Sequence, residues 1–149
     1  MAESVRANSE ISAPPDQVWE VLMDPERLGE WVSAHRKVED VPKLPLKAGD
    51  KFRQRLGIGP AGFWVEWEIL EAEAPKLARW RGKGPGGSTA NVTYELAPSG
   101  DGESTKFNYE NEFDPPGGML GKAAKRTVTS AVGQREAKKS LKSLASLFA

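Results

Sequence analysis

The sequence has no cysteine and only one histidine, His35, among its 149 residues. Without cysteine the chain has no disulfide framework, no thiol nucleophile and no thiolate ligand for a metal. A single histidine, with no second histidine or cysteine to share an ion, does not make a zinc site. We therefore expect no metal and no other cofactor, and we expect His35 to lie in a loop after the second helix.

The sequence also lacks an excess of charge of either sign and lacks long apolar runs. Lysine plus arginine and aspartate plus glutamate number 21 each, so no nucleic-acid partner is expected. No apolar stretch approaches the roughly 20 residues that span a bilayer. The opening MAESVRANSE has no apolar signal-peptide core. These absences predict a cytoplasmic protein, and the length fits one domain over residues 1–149.

A period-two pattern is the strongest signal that is present. SVRANSEI (4–11) alternates apolar or small with polar residues, and the same alternation runs from residue 36 to residue 113 with turn residues at hairpin intervals. This pattern predicts an antiparallel sheet with one packed face and one solvated face. Between the first strand and the others, residues 15–23 and 24–31 predict two short helices, the second capped by Asp24. A long helix is predicted from about Gly118 nearly to the end.

Two glycine runs, GIGPAG (57–62) and GKGPGG (82–87), match the dinucleotide fingerprint G-x-G-x-x-G. That fingerprint holds a phosphate only where a strand turns into a helix, because the helix N-terminus receives the anion. Here each run is followed by another strand pattern, and each contains a proline. We expect both runs to be hairpin turns without nucleotide binding.

Charged residues alternate on the polar face of the predicted sheet. Glu66 and Glu68 resemble the carboxylate pair of a glycosidase, but the neighbouring strands carry arginines on the same face. Cross-strand pairs of opposite charge are ordinary on a solvated sheet. We interpret these residues as such pairs, namely Glu66 and Glu68 with Arg53, Arg55, Arg79 and Arg81.

The opposite face carries aromatic and aliphatic residues with a few neutral hydrogen-bonding groups, and no charged residue or histidine is expected there. The first half of the long helix presents small side chains toward it, at Ala123, Ala124, Thr127 and Ala131. Small residues opposite a curved aromatic sheet either allow close packing or leave a space. A space with a mostly apolar wall and a few polar groups is typical of a small-molecule pocket.

Three segments resemble one known superfamily. ISAPPDQVWEVLMDPERLGEW (11–31) is similar to the opening motif of the START-like, or SRPBCC, proteins, and LKAGDKFR (46–53) and VEWEILEAEAPKLARWRG (65–82) resemble their later strands. The likeness covers nearly the whole chain. It implies an α+β helix-grip fold, in which a curved antiparallel sheet of about seven strands wraps around a long C-terminal helix, with two short helices after strand 1.

The resemblance favours the pocket, because the ligand space of this superfamily lies between the long helix and the sheet. Because no inward histidine or carboxylate is expected, we predict non-catalytic binding or transport of an apolar small molecule such as a lipid, a polyketide or a quinone. No catalytic residue is predicted. The expected ligand-binding residues lie on the inward face of the sheet and on the helix: Phe52, Gln54, Trp67, Trp80, Tyr94, Phe107, Tyr109, Asn111, Thr127 and Ala131.

Two alternatives stay open at this stage. The superfamily includes polyketide cyclases and dehydrases, and Tyr94 or Tyr109 is the residue that would polarise a carbonyl in such an enzyme. The C-terminal helix is also strongly basic, which is typical of a helix that docks on a membrane or a partner. We expect its lysines and arginines instead to form a solvated outer face, so that membrane contact is not the main role.

Overall fold

The computed structural model describes residues 3–58, 61–114 and 122–149, without the side chains of residues 3, 58, 61 and 122–132. Seven strands form one antiparallel sheet that curls into a half-barrel. Along the chain they are β1 (Glu3–Ile11), β2 (His35–Glu39), β3 (Lys51–Ile58), β4 (Ala61–Glu73), β5 (Leu77–Lys83), β6 (Thr89–Ser99) and β7 (Ser104–Asp114). Their order across the sheet is β1-β7-β6-β5-β4-β3-β2, so β1 and β2 lie at opposite edges.

Two short helices connect those edges, as the sequence predicts. The first, α1 (Pro15–Leu22), begins with a proline where a missing N–H is harmless, and it buries Val18, Val21 and Leu22. The second, Pro25–Glu30, is a 3-10 helix whose N-cap Asp24 accepts a hydrogen bond from the Glu26 N–H at 3.0 Å. This connection closes one end of the half-barrel.

The last element is the helix α2 (Lys122–Ser146), 25 residues or about 37 Å long. It buries Ala137, Leu141 and Leu144 against the sheet and packs against β1. The side chain of Gln134 donates from Nε2 to the Arg6 carbonyl at 2.7 Å. The expected start at Gly118 lies outside the described residues.

The glycine runs form hairpins only in part. In the first run Gly57 pairs with Gly62 across β3 and β4, and the two residues at the tip lie outside the described chain. In the second run Pro85–Gly87 form a 3-10 turn in which Gly86 and Gly87 have φ of 64° and 80°. Gly82, however, is part of β5 and not of the turn. The prediction of a turn is therefore correct for the second half of this run and wrong for Gly82.

The solvated face carries the expected charges with partly different partners. The strand register sets Arg53 opposite Glu66 and Arg81 opposite Glu68. The ion pair that Arg53 forms is instead with Glu39 of β2, with Nη1 and Oε1 3.0 Å apart. Both partners of that pair are well exposed, so such contacts add little to the free energy of unfolding.

Candidate functional site

A cavity of about 440 Å³ lies between the concave face of the sheet and α2. Strands β3 to β7, the second half of α2 and the segment 28–34 contribute to its wall, which is mostly apolar. Gly82 and Ala90 lie opposite each other on β5 and β6. Both line the cavity. The missing side chain of Gly82 allows Trp67 and Val65 to pack closely over β5, since each would lie 2.8 Å from an added Cβ. Ala90 contributes only a methyl group to the wall.

Six of the ten predicted ligand-binding residues line this cavity: Gln54, Trp67, Trp80, Tyr94, Tyr109 and Asn111. Phe52 and Phe107 are not among its lining residues, and the expectation that they form its wall needs correction. Both are fully buried behind the wall, where the Phe52 ring packs against Trp80 and the Phe107 ring against Tyr94. Alternation correctly predicts that both side chains point inward. They lie deeper in the half-barrel than the cavity does, and they are therefore part of the core. The side chains of Thr127 and Ala131 lie outside the described residues.

Trp80 holds the wall in one arrangement through edge-to-face contacts with three other rings. Its ring centroid is 5.4 Å from that of Phe52, 5.7 Å from that of Trp67 and 5.4 Å from that of Tyr94. These T-shaped contacts match the charge distribution of aromatic rings and add to the effect of burial. The wall that faces a ligand is thus rigid and aromatic.

Gln54 is already engaged by protein partners. Its Oε1 accepts a hydrogen bond from Trp67 Nε1 at 2.9 Å, and its Nε2 lies 3.0 Å from His35 Nδ1. The side chain is buried, and these bonds satisfy both ends of the amide. The expectation of His35 as a loop residue is wrong, because it begins β2 and joins this buried chain. In the strand register His35 pairs with Leu56, two residues from Gln54 on β3, which brings the two side chains together.

Tyr94 and Tyr109 supply hydroxyl groups to the cavity. Burial raises the pKa of Tyr94 well above its ordinary value. Burial also raises the pKa of Tyr109 to about 12, against an opposing hydrogen bond from Asn111. Both side chains are therefore neutral phenols near pH 7. The Asn111 Oδ1 is buried and has no hydrogen-bond partner among the described residues, so this end of the cavity has spare hydrogen-bonding capacity.

A polar cluster joins the segment before β2 to α2 at the rim of the cavity. The backbone N–H of Ser33 donates to Ser140 Oγ at 3.0 Å, and the Ser33 hydroxyl donates to the Glu136 carboxylate. Glu136 of α2 and Asp114, the last residue of β7, both line the cavity. The rim therefore carries carboxylates that the prediction for the inward face of the sheet did not cover. The sequence carries no signal for this cluster, because its members lie more than 100 positions apart.

The rest of the described chain offers no competing chemistry. Among these residues no three His, Asp or Glu side chains come together as metal ligands. None of the helices described above is long and apolar enough to cross a membrane. The proposed function therefore rests on the cavity.

A curled antiparallel sheet with a cavity under a C-terminal helix defines a helix-grip fold. The sequence profile of the family described as "Polyketide cyclase / dehydrase and lipid transport" matches residues 2–149, and the chain belongs to this family. This family lies within the superfamily that the three sequence segments predict, so the predicted resemblance is confirmed.

Individual relatives agree with this assignment. The chain is 28% identical over 148 residues to the uncharacterized protein Rv1546 of Mycobacterium tuberculosis, covering 97% of this chain and 98% of that protein. Its structure is similar to that of the ZhuI aromatase/cyclase of a Streptomyces species, with a TM-score of 0.79, 19% identity and coverage of 98% and 93%. A conserved protein of Geobacillus kaustophilus has a TM-score of 0.76 at 21% identity, with coverage of 98% and 95%. At such identities the structures demonstrate the shared fold alone.

Gly82 is expected to be intolerant of even one methyl group. A Cβ at this position would lie 2.8 Å from both Trp67 Cζ3 and Val65 Cγ1. Trp67 is held by its bond to Gln54 and has little freedom to withdraw. Gly82→Ala should therefore lower the free energy of unfolding by about 1–3 kcal/mol, measured by urea denaturation.

Gly84→Ala is the matched control within the same glycine run. Its added Cβ would come close only to the Ser88 hydroxyl, at 2.6 Å. This exposed hydroxyl can rotate away at the loss of its hydrogen bond to the Pro85 carbonyl. The backbone at Gly84 is extended, with φ of −113°, so alanine fits without strain. We expect a change below about 0.5 kcal/mol. Equal effects of the two substitutions would contradict the close approach of Trp67 to β5.

Proposed function

We propose that this protein binds an apolar small molecule in the cavity and carries it without chemical change. The observation that carries the proposal is the cavity of about 440 Å³ with an aromatic and aliphatic wall, a size and composition typical of small-molecule sites. Lipid transport is part of the description of the family, which supports the same function. The proposed ligand is lipid-, polyketide- or quinone-like, and the proposed location is the cytoplasm.

The polar groups of the cavity fit a ligand with one or two polar atoms. Gln54 is occupied by Trp67 and His35, so it is not the anchor. The Tyr94 and Tyr109 hydroxyls and the amide of Asn111 line the cavity together. We propose that they orient a carbonyl or hydroxyl group while the rings enclose the remainder of the ligand.

A cyclase or dehydrase is the second candidate, favoured by the structural likeness to the ZhuI aromatase/cyclase. General acid catalysis works best when the pKa of the acid lies near the working pH. Burial moves the pKa of Tyr94 and of Tyr109 away from that range. The Glu136 carboxylate at the rim accepts a hydrogen bond from Ser33. These properties suit hydrogen bonding to a ligand better than proton transfer, and they favour the carrier.

Direct binding tests the proposal. Protein purified from its own host is expected to retain a small molecule detectable by native mass spectrometry. The purified protein should also bind the neutral apolar dye N-phenyl-1-naphthylamine at a single site, with a rise in dye fluorescence. A protein that is ligand-free from its host and does not take up the dye would contradict the proposed function.

Tyr109→Phe separates the polar contact from apolar enclosure. The change removes one hydroxyl, and the loss of one hydrogen bond to a ligand amounts to about 1 kcal/mol, or about fivefold in affinity. We expect this loss for menadione, whose carbonyl groups accept hydrogen bonds, measured by quenching of tryptophan fluorescence. N-phenyl-1-naphthylamine has no carbonyl and should bind the variant within about twofold of wild type. An equal loss for both compounds would mean that Tyr109 does not orient the polar end. Conversion of the bound compound that falls about a hundredfold or more in the variant would instead establish the enzyme.

A further inference from the structure

Three side chains form a continuous hydrogen-bonded array from the cavity wall to the first residue of β2. Trp67 and Gln54 both line the cavity, whereas His35 is half-buried and does not line it. The two links are 2.9 Å and 3.0 Å long. His35 is the one histidine of the chain, and it has no role of its own in the proposed function.

The donors and acceptors of this array allow one arrangement. An indole N–H donates and never accepts, so the oxygen of the Gln54 amide must face Trp67. The amide NH₂ then faces His35, and Nδ1 of the imidazole must accept from it. His35 is therefore neutral and carries its proton on Nε2.

A proton on Nδ1 is incompatible with this arrangement. Two donors, the Gln54 NH₂ and the His35 N–H, would then oppose each other. Rotation of the amide would relieve that contact by turning its oxygen to His35. The same rotation would set the NH₂ against the Trp67 indole N–H and leave that buried donor unpaired, which is unfavourable. Without the rotation the bond between Gln54 and His35 is lost, and with the rotation the bond that positions Trp67 in the wall is lost.

Charged groups around His35 leave the imidazole as the titrating member. The 3-10 helix Pro25–Glu30 packs against β2 and carries Glu26, whose charge favours protonation of His35, while its Arg27 and Glu30 are bonded to each other. On β3, Arg53 and Arg55 lie on the outer face against Trp64, away from Gln54. Arg36 reaches over Gly57. On α2, Glu136 bonds to Ser33, two residues before His35.

We propose that His35 is a proton-controlled positioning residue of the cavity: protonation at Nδ1 breaks the array, releases Trp67 and lowers the affinity for the apolar ligand. The effect on ligand affinity rests on the proposed function. The hydrogen-bonded array of Trp67, Gln54 and His35 does not depend on that function, and it can be tested without any ligand.

The direction of the effect follows from burial. Desolvation lowers the pKa of His35 below the ordinary value of 6.5, and the charge of Glu26 opposes this in part. The unfolded chain therefore binds the proton first as the pH falls. The contribution of His35 to the free energy of unfolding is fully present above about pH 6.5. It declines as the pH drops from there to the lower pKa of His35 in the folded state. Below that pKa the loss from His35 does not increase further.

Nuclear magnetic resonance of the one imidazole tests the array directly. At about pH 7.5 the ¹⁵N shifts should show a protonated Nε2 and an unprotonated Nδ1. The imidazole should titrate with a midpoint below 6.5, and the indole N–H of Trp67 should shift with the same midpoint. Gln54→Met should remove the link, so that the Trp67 resonance no longer follows the titration of His35. A proton on Nδ1 at neutral pH, or a Trp67 resonance that ignores the titration, would overturn the proposal.

The affinity for N-phenyl-1-naphthylamine tests the link to the ligand, since the dye stays uncharged across this range. Wild-type affinity should fall about fivefold or more between about pH 7.5 and about pH 5. His35→Asn places an amide oxygen where Nδ1 was and does not titrate, so its affinity should stay within about twofold over the same range. An equal decline in wild type and variant would overturn the coupling. If neither protein binds the dye at any pH, the proposed function fails, and the resonance experiment still decides whether His35 controls Trp67.

Discussion

Ala90→Trp is expected to abolish binding of N-phenyl-1-naphthylamine while the protein stays folded. Ala90 is partly buried on β6 and lines the cavity beside Gly82. Because its methyl group faces the cavity, we expect an indole at this position to extend into the cavity and to occupy the volume that the dye needs. The affinity should fall by about two orders of magnitude, equivalent to about 2.8 kcal/mol. The measurement is a fluorescence titration at neutral pH.

Ala97→Trp is the control for this blocking variant. It makes the same substitution on the same strand, but Ala97 is exposed on the outer face of the sheet. We expect dye affinity within about twofold of wild type, and thermal unfolding of both variants within a few degrees of wild type. If Ala90→Trp unfolds the protein by overpacking, or binds the dye as well as wild type does, the space above Gly82 and Ala90 is not the binding site.

Trp80→Ala should be the most damaging single change in the wall. The ring is 2% exposed and contacts Phe52, Trp67 and Tyr94 edge to face. Its removal joins a new void to the cavity and leaves three rings without their common neighbour. We expect a loss of about 3–5 kcal/mol in the free energy of unfolding. That is a large part of the 5–15 kcal/mol that is usual for a domain.

Trp64→Ala makes the same change on the outer face of the sheet. This ring is only partly buried and is covered by the Arg53 guanidinium, 4.5 Å from its centroid, with Lys37 and Arg55 farther away. We expect a loss of about 1 kcal/mol, because an exposed cation–π contact is weak. Urea denaturation measures both variants. Comparable losses at the two positions would show that the ring cluster behind the cavity adds nothing beyond the burial of one tryptophan.

The sheet and the inward face could be predicted because alternation is a local property of a strand. On β6, Val92, Tyr94 and Leu96 are buried while Asn91, Glu95 and Ala97 are exposed, as the period of two requires. The same logic placed six of the ten candidate residues around one cavity. It failed for Phe52 and Phe107, because alternation gives the direction of a side chain and not its depth below the rim of a half-barrel.

The remaining features depend on contacts between distant parts of the chain. Ser33 meets Glu136 and Ser140 only because α2 returns across the open end of the sheet. The role of His35 depends on the hydrogen bonds of Gln54. The orientation of the Gln54 amide follows from the position of Trp67 on the next strand. No local periodicity encodes either arrangement. Alternation predicted an inward sheet face without charged residues, and it could not place Glu136 of α2 at the rim of the cavity.

The pairing of β1 with β7 has a consequence for biosynthesis. Ser4 pairs with Glu112, so the first strand emerges from the ribosome 108 residues before its partner. At about 5–20 residues per second, β1 waits about 5–20 s with an unpaired edge while the meander β3 to β7 is translated. The hairpins can close as they appear, whereas the N-terminal strand and α2 must join last. The cavity is therefore complete only after α2 has been translated, and chaperones have that interval in which to bind the nascent chain.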